Sequence, residues 1–366
     1  MYEIWHTFKT GGVERLYVIA NDIDHESLGG ILLSVSIGKA EATVVADRDR
    51  ILSEIKSDFT FKELNANIKT SILRSAQLEY EQTSHLNDEN IDFNSCEKYA
   101  LLLFYQGQRD LPAMLYLRML RHCKTVFGTN HANTAKALQG VAMTTKGEMS
   151  LDFSLQLLQV YQELYGENDE KIKLLLHKIA ISFFQLKQYE KALEYYQKLN
   201  SFENIGICQI KLGNISLGKE NIMKAIQEKN EVRNVASTLK SAAKAFIEVE
   251  QYEEATTLIM RALGILEKID RKEAQGYNYI EAAEMLTGAK KYEEAIEMYK
   301  YAIAVQETYY DRFYCYADTV SAVEAIIQIL ESIGKSQEIA SYMEKLDNLK
   351  ELEASETCDD DLDSYY

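Results

Sequence analysis

The chain has 366 residues, 46% of them hydrophobic and 27% charged, with a formal net charge of −17. That profile belongs to a folded soluble chain, and its sign is wrong for the basic footprint that holds nucleic acid or an anionic membrane surface. A single proline, Pro112, stands where a chain of this length has on average about eighteen, so a mostly helical chain is expected.

The first twenty residues carry Gly11-Gly12 between FKT and VERLYVIA and read as a hairpin of two short strands. Between Asp24 and Asp58 the pattern fits strand or helix. Residues 1–60 therefore form an N-terminal segment less regular than the rest, with an α+β fold left open. From Phe61 onward Leu64, Ile68, Ile72 and Ala76 recur at helical spacing, which predicts a helical cap over 61–96. A helical pair is expected over Tyr99–Val126, with Asp110 as N-cap and Pro112 in the first turn of the second helix. A second pair follows, with Leu138, Val141 and Ala142 on its first helix and 151–164 as its second.

One motif then returns three times, as QLKQYEKALEYYQKL from Gln185, EVEQYEEATTLIMRAL from Glu248 and GAKKYEEAIEMYKYAI from Gly288. Aligned on Tyr189, Tyr252 and Tyr292, alanine recurs at 192, 255 and 295, and the next rows are Tyr196, Ile259 and Tyr299, then Leu199, Ala262 and Ala302. Upstream of each tyrosine lies a second helix, with Ile179-Ala180, Ala242-Ala243 or Ala282-Ala283 on it and Phe183, Phe246 or Leu286 after. Small residues at fixed places let two helices approach closely, and bulky ones fill the gap. The repeating unit is a helical hairpin. A shortened copy holds Ile205-Gly206 ahead of KLGNISLGKENIMKAI, and a degenerate copy covers 318–348. The terminal ELEASETCDDDLDSYY carries seven acidic residues and no basic one, so 349–366 reads as a solvated, disordered tail.

These rows resemble the tetratricopeptide repeat, and the resemblance covers 97–348. FGTNHANTAKAL and YGENDEKIKLLL, within 127–200, are similar to the junctions of kinesin-light-chain-type long repeats. His131 and Asn168 stand in those turns, and the usual proline is missing from both. The resemblance implies an all-α fold, a right-handed α-solenoid of about six to seven hairpins whose first helices line a concave groove.

No catalytic constellation is found. HExxH, GxSxG, GxGxxG and Walker sequences are absent. His122 and Cys123 are neighbours on a helix and point to different faces. Asp359-Asp360-Asp361 lies in the flexible tail, where carboxylates without a defined loop bind cations weakly. No catalytic residue, metal site or cofactor is expected. The five cysteines form no CxxC pair and read as reduced thiols of a cytoplasmic protein. The N-terminus lacks the pattern of a secretory signal, and no apolar run is long enough to span a bilayer.

What remains is the groove. In the register of the repeats its expected lining is Gln139, Met143, His177, Ile181, Phe184, Lys240, Lys244, Ile280 and Glu284, with Lys136 and Lys146 beside it. Two lysines near apolar side chains suit an extended protein or peptide ligand with an acidic or carboxylate anchor. The expected function is that of a non-enzymatic scaffold or adaptor. The alternative is a peptide-sensing bacterial regulator with an N-terminal effector module. ANDIDHESLGG lacks the basic recognition helix of a DNA-binding module, and MYEIWHTFKTGG reads poorly as the first helix of a phosphatase module.

Overall fold

A small residue, then a turn seven positions on, then another small residue five positions later: this cadence organises the helical pairs between Ala180 and Ala295. The computed structural model describes residues 61–83, 91–166, 169–309 and 316–356, and every regular element among them is an α-helix. In order they are α1 (Phe61–Thr83), α2 (Phe93–Tyr105), α3 (Asp110–Val126), α4 (Ala132–Thr144), α5 (Gly147–Tyr165), α6 (Glu170–Gln185), α7 (Tyr189–Lys198), α8 (Phe202–Lys211), α9 (Ile215–Glu228), α10 (Val232–Glu248), α11 (Tyr252–Ile269), α12 (Lys272–Gly288), α13 (Tyr292–Tyr309), α14 (Tyr316–Ser332) and α15 (Ser336–Glu356). Successive helices pack as pairs: α2–α3, α4–α5, α8–α9, α10–α11, α12–α13 and α14–α15.

The chain divides into two units, Met1–Ser182 and Phe183–Tyr366. In the first, α1 packs on α2, and Ile68, Ile72 and Ala76 of α1 are buried. Tyr80 of α1 stacks on Tyr99 at 5.5 Å and accepts a hydrogen bond from Arg118 of α3 at 2.6 Å. The core of this unit includes Leu102, Tyr116, Met119 and Leu138, each essentially shielded from solvent. Asp92 caps α2 by accepting from the Ser95 amide, and His131 caps α4 by accepting from the Asn133 amide through Nδ1.

In the second unit one hydrophobic core runs from Ile210 to Leu330, with Ala243, Ala255, Ala283 and Ala295 wholly buried within it. The turn between the helices of each pair is the same throughout. Backbone amides of Gln188, Asn214, Gln251, Lys291 and Lys335 reach back to the carbonyls of Phe183, Gln209, Phe246, Leu286 and Leu330 at 2.8–3.0 Å. That six-to-one bond closes a helix when the residue before the donor is left-handed. Lys187, Gly213, Glu250, Lys290 and Gly334 occupy this position with φ between 57° and 81°. Neighbouring pairs are also linked by ion pairs, Lys219–Glu254 at 2.6 Å, Lys291–Glu253 at 2.5 Å and Lys335–Glu293 at 3.0 Å. These are solvent-screened and worth less than about 1 kcal/mol each.

Several details differ from expectation. Asp110 is the first residue of α3, and Arg109 holds the N-cap position without a side-chain cap bond. The carboxylate therefore acts on the first-turn dipole instead of capping. Helix α5 starts at Gly147, ahead of the expected 151–164. Helix α2 begins at Phe93, so the end of the expected 61–96 cap is the first arm of a hairpin. Helix α15 continues to Glu356, past the expected start of the tail, because LKELEASE has strong helix formers and no breaker. The expected N-terminal strands, Asn168 and the aspartate run at 359–361 lie outside the described residues.

Candidate functional site

Within the first unit, the expected groove residues sit on α4 and α6. Gln139 is exposed, and its Oε1 accepts from the Tyr161 hydroxyl at 3.2 Å. Met143 is half-buried, and its carbonyl accepts from Arg109 at 3.1 Å. Lys136 lies 3.7 Å from Glu97. His177 and Ile181 are exposed on α6, and Leu174, one turn before His177, is exposed with them. At i, i+3 and i+7 these three share one face of the helix.

In the second unit the pattern is more specific. Phe184 is half-buried and meets the Tyr189 ring edge-on at 5.2 Å. Lys240 donates to Glu281 Oε2 at 2.6 Å, and Lys244 Nζ lies 3.9 Å from the other oxygen of that carboxylate. Glu281 thus neutralises much of the positive charge that the sequence places on α10. Ile280 packs against the core, and Glu284 is exposed. The two lysines are not equivalent: the Lys240 side chain is 26% exposed and that of Lys244 59%.

Phe184 and Lys244 come together at a cleft of about 230 Å³, which Tyr196, Asn204, Ile207, Lys211, Ser241, Ala245 and Glu248 complete. Phe184, Tyr196, Ile207 and Ala245 give it an apolar side. Lys211, the last residue of α8, is the polar feature. Its side chain is only 4% exposed, and its ammonium donates to Glu248, whose side chain is 64% exposed. Burial holds the Tyr196 hydroxyl up at about 12, aided by neighbouring Cys208, so it adds no negative charge to the cleft at neutral pH. Lys211 and Lys244 together outweigh Glu248 by one positive charge.

The sequence rows pass over Lys211, Asn204, Ser241 and Glu248. The signal was present: Gly206 of α8 matches Ala243 of α10, and this register puts Lys211 and Glu248 at the same place in consecutive pairs. The shortness of the α8–α9 pair hid it.

The described residues offer little to nucleophilic or metal chemistry. Cys96 and Cys123 are buried, and burial pushes their thiols up to about 12 and about 11. Cys123 beside His122 is therefore a protonated thiol with no solvent access. Among the described residues no group of His, Cys, Asp and Glu is placed to hold a metal ion, and no helix is long and apolar enough to cross a membrane.

The recurring small residues and the six-to-one turns define a chain of tetratricopeptide-type helical hairpins. No family model matches the sequence, and none of the curated proteins compared with it matches either. Among solved structures, the apo quorum sensor NprR from B. thuringiensis is 15% identical, with 89% of this chain and 97% of that one covered and a TM-score of 0.41. A Podospora anserina putative kinesin light chain with nearly identical TPR-like repeats is 14% identical, covering 62% of this chain and 100% of that one at a TM-score of 0.39. A Rap protein complexed with competence and sporulation factor is 14% identical, with 90% and 97% covered and a TM-score of 0.35.

Proposed function

We propose that the protein is a non-enzymatic scaffold or adaptor that holds an extended segment of a partner protein or peptide on the faces of its first helices. The observation that carries this reading is the α8–α10 cleft, where an aromatic and aliphatic side adjoins a net positive charge in a chain of net charge −17. A segment with an apolar side chain next to a carboxylate matches both halves. On α10 and α12 of the same unit, Lys240, Lys244, Ile280 and Glu284 would contact further residues of such a segment; in the first unit Gln139, Met143, His177 and Ile181 form a separate candidate surface on α4 and α6.

Two pools of synthetic peptides test this, one pairing aromatic with acidic residues and one in which amides replace the acids. The wild-type chain is expected to retain the acidic pool over the neutral one. A Lys244→Glu variant, shown by circular dichroism to keep its helix content, is expected to lose that preference. Retention of neither pool would remove the peptide reading. Equal retention by both proteins would move recognition away from α10.

A further inference from the structure

Lys211 presents an imbalance. An ammonium with a side chain 4% exposed is costly to desolvate, and it needs acceptors that stay in place. Its carboxylate partner in the structure, Glu248, belongs to the next pair of helices and has a side chain 64% exposed. A carboxylate so exposed can swing into water at little cost, whereas the lysine cannot follow it. The ammonium also has three donors, and Glu248 Oε2 takes one. Lys211 lies in the wall of the cleft, facing the same space as Phe184, Ile207 and Lys244.

Size narrows the occupant. Drug-sized ligands fill sites of about 300–1,000 Å³, and this cleft of about 230 Å³ is smaller. It suits one aromatic or large aliphatic side chain together with one carboxylate. Asn204, which donates to Ser201 Oγ at 3.0 Å, and Ser241 add neutral polar groups to the same lining.

We infer that Lys211 is the anchor for a ligand carboxylate adjacent to an aromatic or aliphatic side chain, and that Glu248 is an internal stand-in which this carboxylate displaces. This rests on the peptide-binding reading and deepens it. Displacement sets selectivity. A neutral ligand would have to leave the Lys211–Glu248 pair intact and would gain nothing from the ammonium, whereas a carboxylate replaces one anion by another and releases Glu248 to water. Lys244, exposed at the rim, adds attraction at a distance. The carboxylate can be a chain terminus or an acidic side chain, and the chemistry at Lys211 is the same for both.

Three probes distinguish the cases: N-acetylphenylalanine, with a free terminal carboxylate; its neutral amide; and N-acetyl-Asp-Phe-amide, with a side-chain carboxylate only. Binding to the full chain is followed by titration calorimetry or by amide shifts in isotope-labelled protein. At least one carboxylate probe is expected to bind about tenfold or more tightly than the neutral amide, the scale of a charge-assisted hydrogen bond. Whichever of the two binds identifies the source of the carboxylate. Glu248→Gln removes the competitor from an exposed position and is expected to tighten carboxylate binding several-fold while leaving the amide unchanged. Lys211→Met keeps the bulk of the stem and is expected to reduce carboxylate binding to the level of the amide.

Equal binding of charged and neutral probes, absence of binding by all three, or carboxylate affinity unaffected by Glu248→Gln would overturn the inference. The last readout does not depend on how well Lys211→Met folds. If the acidic peptide pool is retained while the probes ignore Lys211 and Glu248, the inference fails and the scaffold reading stands. If neither pool nor probe binds, both fail.

Discussion

Two adjacent hairpins of the second unit, α8–α9 and α10–α11, obey one rule with different residues. In each, a small side chain lies seven residues before a left-handed turn and another lies five after it. The first uses Gly206, Gly213 and Gly218; the second uses Ala243, Glu250 and Ala255. The helices of the first pair are 10 and 14 residues long and those of the second 17 and 18. Register in this chain is therefore set by contact and turn, and helix length varies around them. A methyl group is the right spacer between α10 and α11. Between α8 and α9 even that is too much: a Cβ on Gly206 would lie 2.9 Å from the Gly218 carbonyl oxygen, and one on Gly218 would lie 2.6 Å from Ile210 Cγ1.

The sharpest way to break the comparison is to exchange the spacers. Gly206→Val forces a branched side chain against backbone, which cannot rotate away, and is expected to destabilise the chain by roughly 2–3 kcal/mol. Ala243→Gly in the neighbouring pair is expected to cost about 1 kcal/mol, mostly backbone entropy. Urea denaturation followed by far-ultraviolet circular dichroism reads both, using the first transition because repeat arrays need not unfold in one step. Equal costs would mean that the close glycine contact is not what holds α8 to α9.

Turn exchange is next in size, and here the signs oppose. Glu250 carries a Cβ at φ 60° where Gly213 carries none at φ 81°. Left-handed backbone costs an L-residue about 1–2 kcal/mol, part of which glycine returns as entropy lost on folding. Glu250→Gly is expected to raise stability by about 0.5–1 kcal/mol, and Gly213→Ala to lower it by about 1 kcal/mol. The same denaturation curves check this. A loss for Glu250→Gly would show that Glu250 makes a contact worth more than its strain.

Much of this was legible in the sequence because packing repeats. The alanines at 180, 243 and 283 and those at 192, 255 and 295 are all fully buried, as their spacing implied. Pairings between hairpins were harder to read. Glu281 lies forty-one residues after Lys240 and is its ion-pair partner, yet nothing local in either helix announces it. The cleft was missed for the same reason, since Lys211, Ser241 and Glu248 come from two different hairpins. Asp110 shows the other limit: a cap is decided by one residue's backbone angles, and a one-residue shift turns a capping carboxylate into a first-turn charge.

A smaller effect sharpens the electrostatic side of the comparison. Lys240 and Glu281 bridge α10 to α12 with side chains 26% and 21% exposed. Glu281→Gln keeps a hydrogen-bond acceptor beside Lys240 and is expected to cost less than about 1 kcal/mol in stability. It also releases Lys240 and Lys244 from their shared anion. Retention of the acidic peptide pool is expected to rise several-fold, and no change would place Lys240 outside the binding surface.

The smallest perturbation is chemical and asks whether α8 opens by itself. Cys208 occupies the place on α8 that Ala245 holds on α10, and it is wholly buried. Burial raises its thiol from the ordinary 9.0 to about 12. In the folded chain at pH 8 the thiolate is therefore scarce as well as shielded, and labelling by an aromatic disulfide reagent is expected to proceed only through opening of the hairpin. The protonated thiol is favoured by folding, so its contribution is complete below pH 9 and is lost as the pH rises through about 12. Labelling of Cys208, read by peptide mass spectrometry, should be slow in the native chain and faster in Gly206→Val, but unchanged in Ala243→Gly if the two hairpins open separately. Acceleration by both variants would mean that α8–α9 and α10–α11 open as one cooperative unit, in which case the glycine contact stabilises the cleft beyond the hairpin that contains it.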